Sequence, residues 1–353
     1  MKSIVLTGGG TAGHVIPHLA LLPNLEKNFT KIYYIGSHTG IEREIIAKHP
    51  QIEYFSVTTV KLRRSVDLRN MAIPFKLVKG VSDAKKILKR IKPDVVFSKG
   101  GFVAYPVVRA AAKLKIPVVA HESDMSLGLA NRLSAKHCDV ICTTFKKTAN
   151  KQKMIHTGSP IRASVFTGSV TKIIQRHFNQ LATLQSKGNL LIIGGSLGAA
   201  KINEMVHTTL NKLLPKFNII HICGKGKIDN SIKQAGYIQL EFVNDIENYF
   251  AWADVVISRA GSNAMCELLA LSKPTLFIPL ATGRGDQIEN AKEVLQHDAA
   301  MVLWESDMTQ ASFVEKVNAL YKNKEKYKAN TKAMGDLNGT EQIAQIIIKQ
   351  TNN

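Results

Sequence analysis

Three glycine-rich loops, each following a short apolar run, carry the clearest chemical signals in the sequence. The first, Gly8-Gly9-Gly10-Thr11-Ala12-Gly13-His14, matches G-x-G-x-x-G between a predicted strand and a predicted helix. Glycines let the backbone turn tightly against a pyrophosphate, and N–H groups at a helix start favour anions. A dinucleotide site also wants an acid about 20 residues further on, near the end of the second strand. That strand ends Ile35-Gly36-Ser37-His38, with no acid, which speaks against a nicotinamide cofactor. A phosphate- or sugar-contacting loop and a purely structural turn remain. The second loop, Gly194-Gly195-Ser196-Leu197-Gly198-Ala199, also fits the G-x-S-x-G elbow of hydrolases. That chemistry needs a later Asp and then a His in loops. His207 falls in a predicted helix, His221 in a predicted strand, and His297 precedes Asp298, so a diphosphate cradle of amides and the Ser196 hydroxyl fits better. The third loop, Ser98-Lys99-Gly100-Gly101-Phe102, offers Lys99 to an anion or is a simple turn.

Further polar residues stand at predicted strand ends, where open α/β sheets bind ligands. They are His121-Glu122, Asn131, Arg162, Arg259-Ala260-Gly261-Ser262, Glu267 and Gly285-Asp286-Gln287. Glu267, on the helix opened by Gly261-Ser262, is placed either to bind ribose hydroxyls or as a solvated surface acid. His14 reads as a general base, a substrate contact or a structural histidine. His14 and His18 are four apart, yet Pro17 intervenes and no third ligand is near in sequence, so a metal pair is rejected. Cys138, Cys142, Cys223 and Cys266 form no C-x-x-C pair, and their spacing suggests neither a zinc site nor a disulfide framework.

These residues need a scaffold. Predicted strands at Ser3–Thr7, Lys31–Ile35, Val95–Ser98, Pro117–His121 and Val140–Thr143 alternate with amphipathic segments. The second half repeats the rhythm at Leu190–Ile193, Asn218–Cys223, Tyr237–Glu241, Val255–Ser258, Thr275–Ile278 and Ala300–Leu303. A βαβα alternation implies parallel sheets covered by helices. The 353 residues, 45% of them hydrophobic, suffice for two such domains. The expected boundaries are 1–160 and 161–337, with turn residues Gly158-Ser159-Pro160 at the junction and a terminal helix at Thr340–Lys349.

The chain carries 47 Lys+Arg against 27 Asp+Glu, a formal charge of +20. Residues 1–155 account for +16 of it, and 61–92 alone for +9. A densely negative partner should meet the first half. Between Pro74 and Pro93, Phe75, Val78, Val81, Ala84, Leu88 and Ile91 recur at helical spacing with lysines between them. Most of that stripe should pack on the sheet. Phe75, Lys76 and Lys79, with the basic run upstream, suit either an anionic membrane surface or a solvated helix. Aromatic residues are sparse in the basic stretch and no nucleic-acid motif is present, so nucleic acid is not expected. No apolar run approaches the ~20 residues of a spanning helix. The opening residues are too short and too soon glycine-rich for a signal peptide, so the expected location is cytoplasmic.

Taken in order, Gly8–His14, Ser98–Phe102, His121-Glu122-Ser123-Asp124, Gly194–Ala199 and Ser258-Arg259-Ala260-Gly261-Ser262-Asn263 resemble the MurG family of bacterial cell-wall N-acetylglucosaminyltransferases over essentially the whole chain. The resemblance implies an α/β GT-B fold, two Rossmann-like domains with parallel sheets facing across a cleft, the terminal helix (about 338–353) packing back on the first. It implies transfer of GlcNAc from UDP-N-acetylglucosamine (UDP-GlcNAc) to the C4 hydroxyl of MurNAc in undecaprenyl-pyrophosphoryl-MurNAc-pentapeptide, lipid I. The product is lipid II, formed with inversion, on the cytoplasmic face of the membrane. By the same resemblance the second domain holds the donor. Ser196 contacts its diphosphate with Arg162 and Arg259 close by, Glu267 holds the ribose, Ile246 borders the uracil, and Gln287 and Asn290 read the sugar. Thr11, Ala12 and Gly13 approach the transferred sugar. Asp124 replaces an Asn found in some relatives at a donor contact. Gly100, Gly101 and Asn131 are expected at the acceptor diphosphate. His14 is the candidate base, with His121 and Glu122 as rivals. UDP-GlcNAc is a substrate, no cofactor is expected, and no D-x-D motif asks for a metal. A UDP-GlcNAc epimerase on the same two-domain plan is the alternative.

Overall fold

The computed structural model describes residues 2–60, 73–150, 152–181, 187–195, 198–282, 285–335 and 337–352. The chain forms two compact units, Met1–Arg162 with Asn338–Asn353, and Ala163–Leu337. In the first run β1 (Ser3–Thr7), α1 (Ile16–Glu26), β2 (Lys31–Ser37), α2 (Ile41–Ile46), β3 (Ile52–Val57), α3 (Ile73–Ile91), β4 (Val95–Ser98), α4 (Ala104–Lys113), β5 (Val118–Glu122), α5 (Leu129–Ser134), β6 (Val140–Thr143) and β7 (Met154–His156). The strands pair parallel in the order β3-β2-β1-β4-β5-β6-β7. Alternation along β1 sends Ile4 and Leu6 into the core beneath α1, while Val5 joins Val81, Ala84 and Leu88 of α3 on the other face. With both faces covered, such strands read as unbroken apolar runs, which made most of them visible in the sequence. Strands β3 and β7 lay outside the expected set. Both are sheet edges; β3 is interrupted by Glu53 and Ser56, and β7 has only three residues.

The second unit contains α6 (Val170–His177), β8 (Gly188–Ile193), α7 (Ala200–Leu213), β9 (Phe217–Ile222), β10 (Tyr237–Leu240), α8 (Ile246–Trp252), β11 (Val255–Ser258), α9 (Ser262–Ala270), β12 (Thr275–Phe277), α10 (Asp286–Gln296), β13 (Met301–Val302), α11 (Gln310–Lys322) and α12 (Lys324–Ala333). Its parallel order, β10-β9-β8-β11-β12-β13, repeats that of the first unit. In both sheets the order reverses beside the first strand, between β1 and β4 and between β8 and β11. Loops leaving those two strands cannot cover each other's ends, so a crevice opens at the C-terminal edge.

The chain then returns to the first unit as α13 (Thr340–Gln350). Ile343, Ala344 and Ile347 join the core built by Ile4, Leu6, Leu21 and Leu25. The Thr340 hydroxyl anchors the helix start, accepting from Ile161 N (2.9 Å). The observed junction thus follows Arg162, two residues beyond the expected one.

Helix α3 departs from the expected stripe. Val81, Ala84 and Leu88 are buried, but Phe75 and Val78, in the first two turns, are 80% and 69% exposed. Lys76 and Lys79 beside them are exposed as well. The upstream basic run at 61–72 lies outside the described residues. No described helix is long and apolar enough to cross a membrane.

Truncating Ile347 to Ala empties a fully buried site. Urea denaturation should show the first unit destabilised by about 2–5 kcal/mol, with unfolding of the second unit unchanged.

Candidate active site

In the first unit the reversal point brings the first and third glycine loops together. Gly10 has φ +84°, and a Cβ there would strike the Phe102 ring; Gly101 has φ +77°, and its Cβ would strike the carbonyl of Gly9. Both positions therefore need glycine for conformation and for space. An acid does organise this loop, although it is absent from the strand end where the sequence suggested looking. Glu42, fully buried on α2, accepts from Gly10 N (3.1 Å) through Oε2. Its Oε1 accepts from Ser37 N (3.1 Å) and Ser37 Oγ (2.5 Å). N–H and O–H donors compensate the burial of its charge.

Thr11, Ala12 and Gly13 follow at the surface or half-buried, and His14 closes a single helical turn with its ring half-buried. The Thr11 hydroxyl lies 3.0 Å from His14 Nδ1. His18 is fully buried, edge-on to Tyr34 and Phe97, and burial with the nearby Lys99 charge holds it well below its ordinary pKa. It is a core histidine and does not pair with His14.

Lys99 is buried rather than offered to an anion. Its ammonium donates to His121 Nδ1 (2.6 Å) and Ser123 Oγ (2.7 Å). His121 Nε2 lies 2.9 Å from the carbonyl of Gly158, which can only accept, so Nε2 carries the proton and Nδ1 takes the Lys99 bond. Burial and Lys99 lower His121 far below its ordinary value. Both nitrogens are occupied within the protein, which speaks against its reading as a rival base. Glu122 is similarly committed. Oε1 accepts from Ser123 N (2.9 Å) and Asp124 N (3.1 Å), while Oε2 accepts from Gly128 N (2.8 Å) and Asn131 Nδ2 (2.9 Å). Burial pushes its carboxyl upward against these donors. It shapes the loop after β5 and is not placed to take a proton from an acceptor. Asn131 also donates to the His121 carbonyl (3.1 Å), so its amide serves the loop, with Gly100 against it. Asp124 is half-buried on that loop.

In the second unit, Gly194 and Gly195 leave β8 and Gly198 leads into α7; Ser196 and Leu197 between them lie outside the described residues. Across the reversal point, Arg259 leaves β11. Its guanidinium donates to the Ile278 carbonyl (3.0 Å) and pairs with the buried Glu305 (2.6 Å), joining three strand ends. It therefore braces the crevice. Glu267 is half-buried on α9, and Ile246 is half-buried as the first residue of α8. Phe242, 63% exposed beyond β10, is an aromatic that the sequence reading passed over; its only signal was its place after a strand. Gln287 accepts from Leu280 N (3.0 Å), fixing the loop before α10. Asn290 is fully buried and donates to the Ala260 carbonyl (3.2 Å), so it holds the β11–α9 turn. Arg162 falls in the first unit, as its last residue before the chain crosses to the second.

Residues 4–143 match the glycosyltransferase family 28 N-terminal domain and 189–347 its C-terminal domain. The chain is 48% identical, over 99% of its length and the whole of the relative, to the UDP-N-acetylglucosamine--N-acetylmuramyl-(pentapeptide) pyrophosphoryl-undecaprenol N-acetylglucosamine transferase of Clostridium botulinum strain Langeland. Among solved structures, MurG of Acinetobacter baumannii matches with a TM-score of 0.79 at 26% identity, covering 99% of this chain and all of that one. The UDP-GlcNAc 2-epimerase of Neisseria meningitidis, at 15% identity and a TM-score of 0.68 over 99% of both chains, shares the fold alone. Paired parallel sheets with matching strand order, glycine loops at both reversal points and full-length similarity place this chain in glycosyltransferase family 28, within the MurG group.

Proposed function

We propose that this chain transfers GlcNAc from UDP-GlcNAc to the C4 hydroxyl of MurNAc in undecaprenyl-pyrophosphoryl-MurNAc-pentapeptide, a step of peptidoglycan synthesis. The carrying observation is the 48% identity, end to end, with a relative that bears this activity in its name. The fold likeness to an epimerase is shared by the whole architecture and does not favour epimerisation.

The second unit holds the donor. Amides of the Gly194–Gly198 loop and the Ser196 hydroxyl meet the diphosphate, and the N-terminus of α9 adds its positive dipole end. Glu267 takes ribose hydroxyls, and Ile246 with Phe242 borders the base. Arg259 and Asn290 act behind them as positioning residues, and Gln287 shapes the sugar loop. The first unit supplies the acceptor loops, with Gly100, Gly101 and the Glu122-shaped segment at the acceptor diphosphate, and Thr11, Ala12 and Gly13 beside the sugar. The acceptor oxygen bonds to the anomeric carbon as the bond to the UDP oxygen breaks, and UDP leaves with the electron pair. Inversion follows from this single displacement. His14 takes the acceptor proton through Nε2 when Nδ1–H is given to the Thr11 hydroxyl, 3.0 Å away. No resident cofactor enters the scheme, and nucleic acid has no part in it.

The acceptor is held in a bilayer, and α3 suits a peripheral approach from the cytoplasmic face. Phe75 and Val78 are exposed among Lys76, Lys79, Lys85 and Lys86. Each basic residue near an anionic surface contributes about 1 kcal/mol.

Purified protein given UDP-GlcNAc and a lipid I analogue should release UDP; loss of UDP-GlcNAc without acceptor would instead establish the epimerase. His14→Ala should lower kcat by roughly 10²–10⁴ with little change in UDP affinity, and a loss confined to affinity would remove His14 as the base. Replacing Lys76, Lys79, Lys85 and Lys86 by Gln should abolish sedimentation with anionic vesicles while sparing turnover of a soluble acceptor; unchanged sedimentation would move the membrane face elsewhere.

A further inference from the structure

Behind the second glycine loop the fold gathers three soft-metal ligands that the glycosyl transfer does not use. His207 comes from α7, His221 from β9, and Cys223 from the residue after β9. One ligand atom from each lies within 4.8 Å of the others. His221 and Cys223, two apart on one strand, face the same side of the sheet, and α7 lies over that side. His221 and Cys223 are buried and His207 is half-buried.

We infer that His207, His221 and Cys223 form a binding site for a thiophilic divalent cation such as Zn2+, which clamps the end of β9 to α7 beneath the donor loop. Two imidazoles and a thiolate are a common ligand set for zinc, with water as a fourth ligand. The convergence of the three ligand atoms and one orphaned nitrogen favour a metal over a simple polar cluster. His207 Nε2 is buried and has no hydrogen-bond partner among the described residues. His221 lies between Tyr237 Oη (2.9 Å from Nδ1) and Asn203 Oδ1 (3.1 Å from Nε2). A cation on His221 would displace one of these two bonds and keep the other as the outer-shell contact that orients the ring. A cavity of about 500 Å³ is lined by Tyr237 and Gln239, which touch His221 and Cys223 respectively.

The site is tied to the loop above it. Asn203 Nδ2 donates to the Cys223 carbonyl (3.0 Å), and a Cβ on Gly198 would strike that same carbonyl. A cation on Cys223 therefore pins the strand end against which the loop closes.

Co2+ titration of the full-length protein tests this. One equivalent should produce thiolate-to-cobalt charge transfer and tetrahedral ligand-field bands, and equimolar Zn2+ should displace them. His207→Gln, on the half-exposed face of α7, should weaken binding by roughly 100-fold or more with an unchanged circular dichroism spectrum. Cys223→Ser should remove the charge-transfer band. Zn2+ should raise Tm of the parent protein and of neither variant. A parent protein silent at millimolar Co2+, or bands that survive in Cys223→Ser, would overturn the site.

Discussion

Everything in this protein depends on one constraint of parallel sheets: the point where strand order reverses leaves the ends of two neighbouring strands uncovered. At that point backbone N–H groups of the loops and of the helices they open face outward, and the partial positive charge of a helix start adds to them. A phosphate oxygen is the natural complement. The protein builds this arrangement twice, with order 3-2-1-4-5-6-7 in the first unit and the same order over six strands in the second. Glycine is required where the loops approach each other, as at Gly10 against Phe102 and Gly101 against Gly9.

Loops at such a crevice must be held still, and the protein does this with buried charge. Glu42 ties the first glycine loop to the end of β2, Glu122 gathers the turn after β5, and the Arg259–Glu305 pair joins strand ends in the second unit. Each carboxylate is surrounded by donors, so its desolvation is offset without a bound ligand. Removing one partner would leave an uncompensated buried charge, a heavier loss than the bond itself. The Lys99–His121–Gly158 chain obeys the same logic: a neutral imidazole turns its lone pair to a buried ammonium and its N–H to a carbonyl. Groups that look catalytic by type thus serve as scaffold, whereas His14 is half-buried on its turn beside the Thr11 hydroxyl.

Helix α3 divides its amphipathic stripe along its length. Its C-terminal turns bury Val81, Ala84 and Leu88 on the sheet, while the first turns leave Phe75 and Val78 exposed. Exposing two large apolar side chains is costly in water, and lysines alternating with them keep the overhang soluble. The same pairing of apolar and cationic side chains suits a surface that is itself apolar within and anionic without.

The sequence by itself determined the fold class and the family, because both are written in local order. Doubly covered strands read as apolar runs, glycine loops follow them at fixed places, and five such motifs in series leave little freedom of architecture. It equally placed the terminal helix at Thr340–Lys349, where glycine, proline and charge thin out, and the structure shows Ile343, Ala344 and Ile347 as its buried face. What it could not show was which side chains are spent within the protein. His121, Glu122 and Lys99 each stand at a strand end, as functional residues do, and Asn290 lies in the first turns of α10, yet packing turned them inward to carbonyls, amides and one another. Glu42 escaped notice because its partner, Gly10, is distant in sequence and meets it only when β1 and β2 pair. Cys223, with no second cysteine at metal-binding spacing, has His221 two residues away but acquired His207 as a neighbour only when α7 settled on β9. Chemistry that depends on one residue beside another across an element is decided by packing.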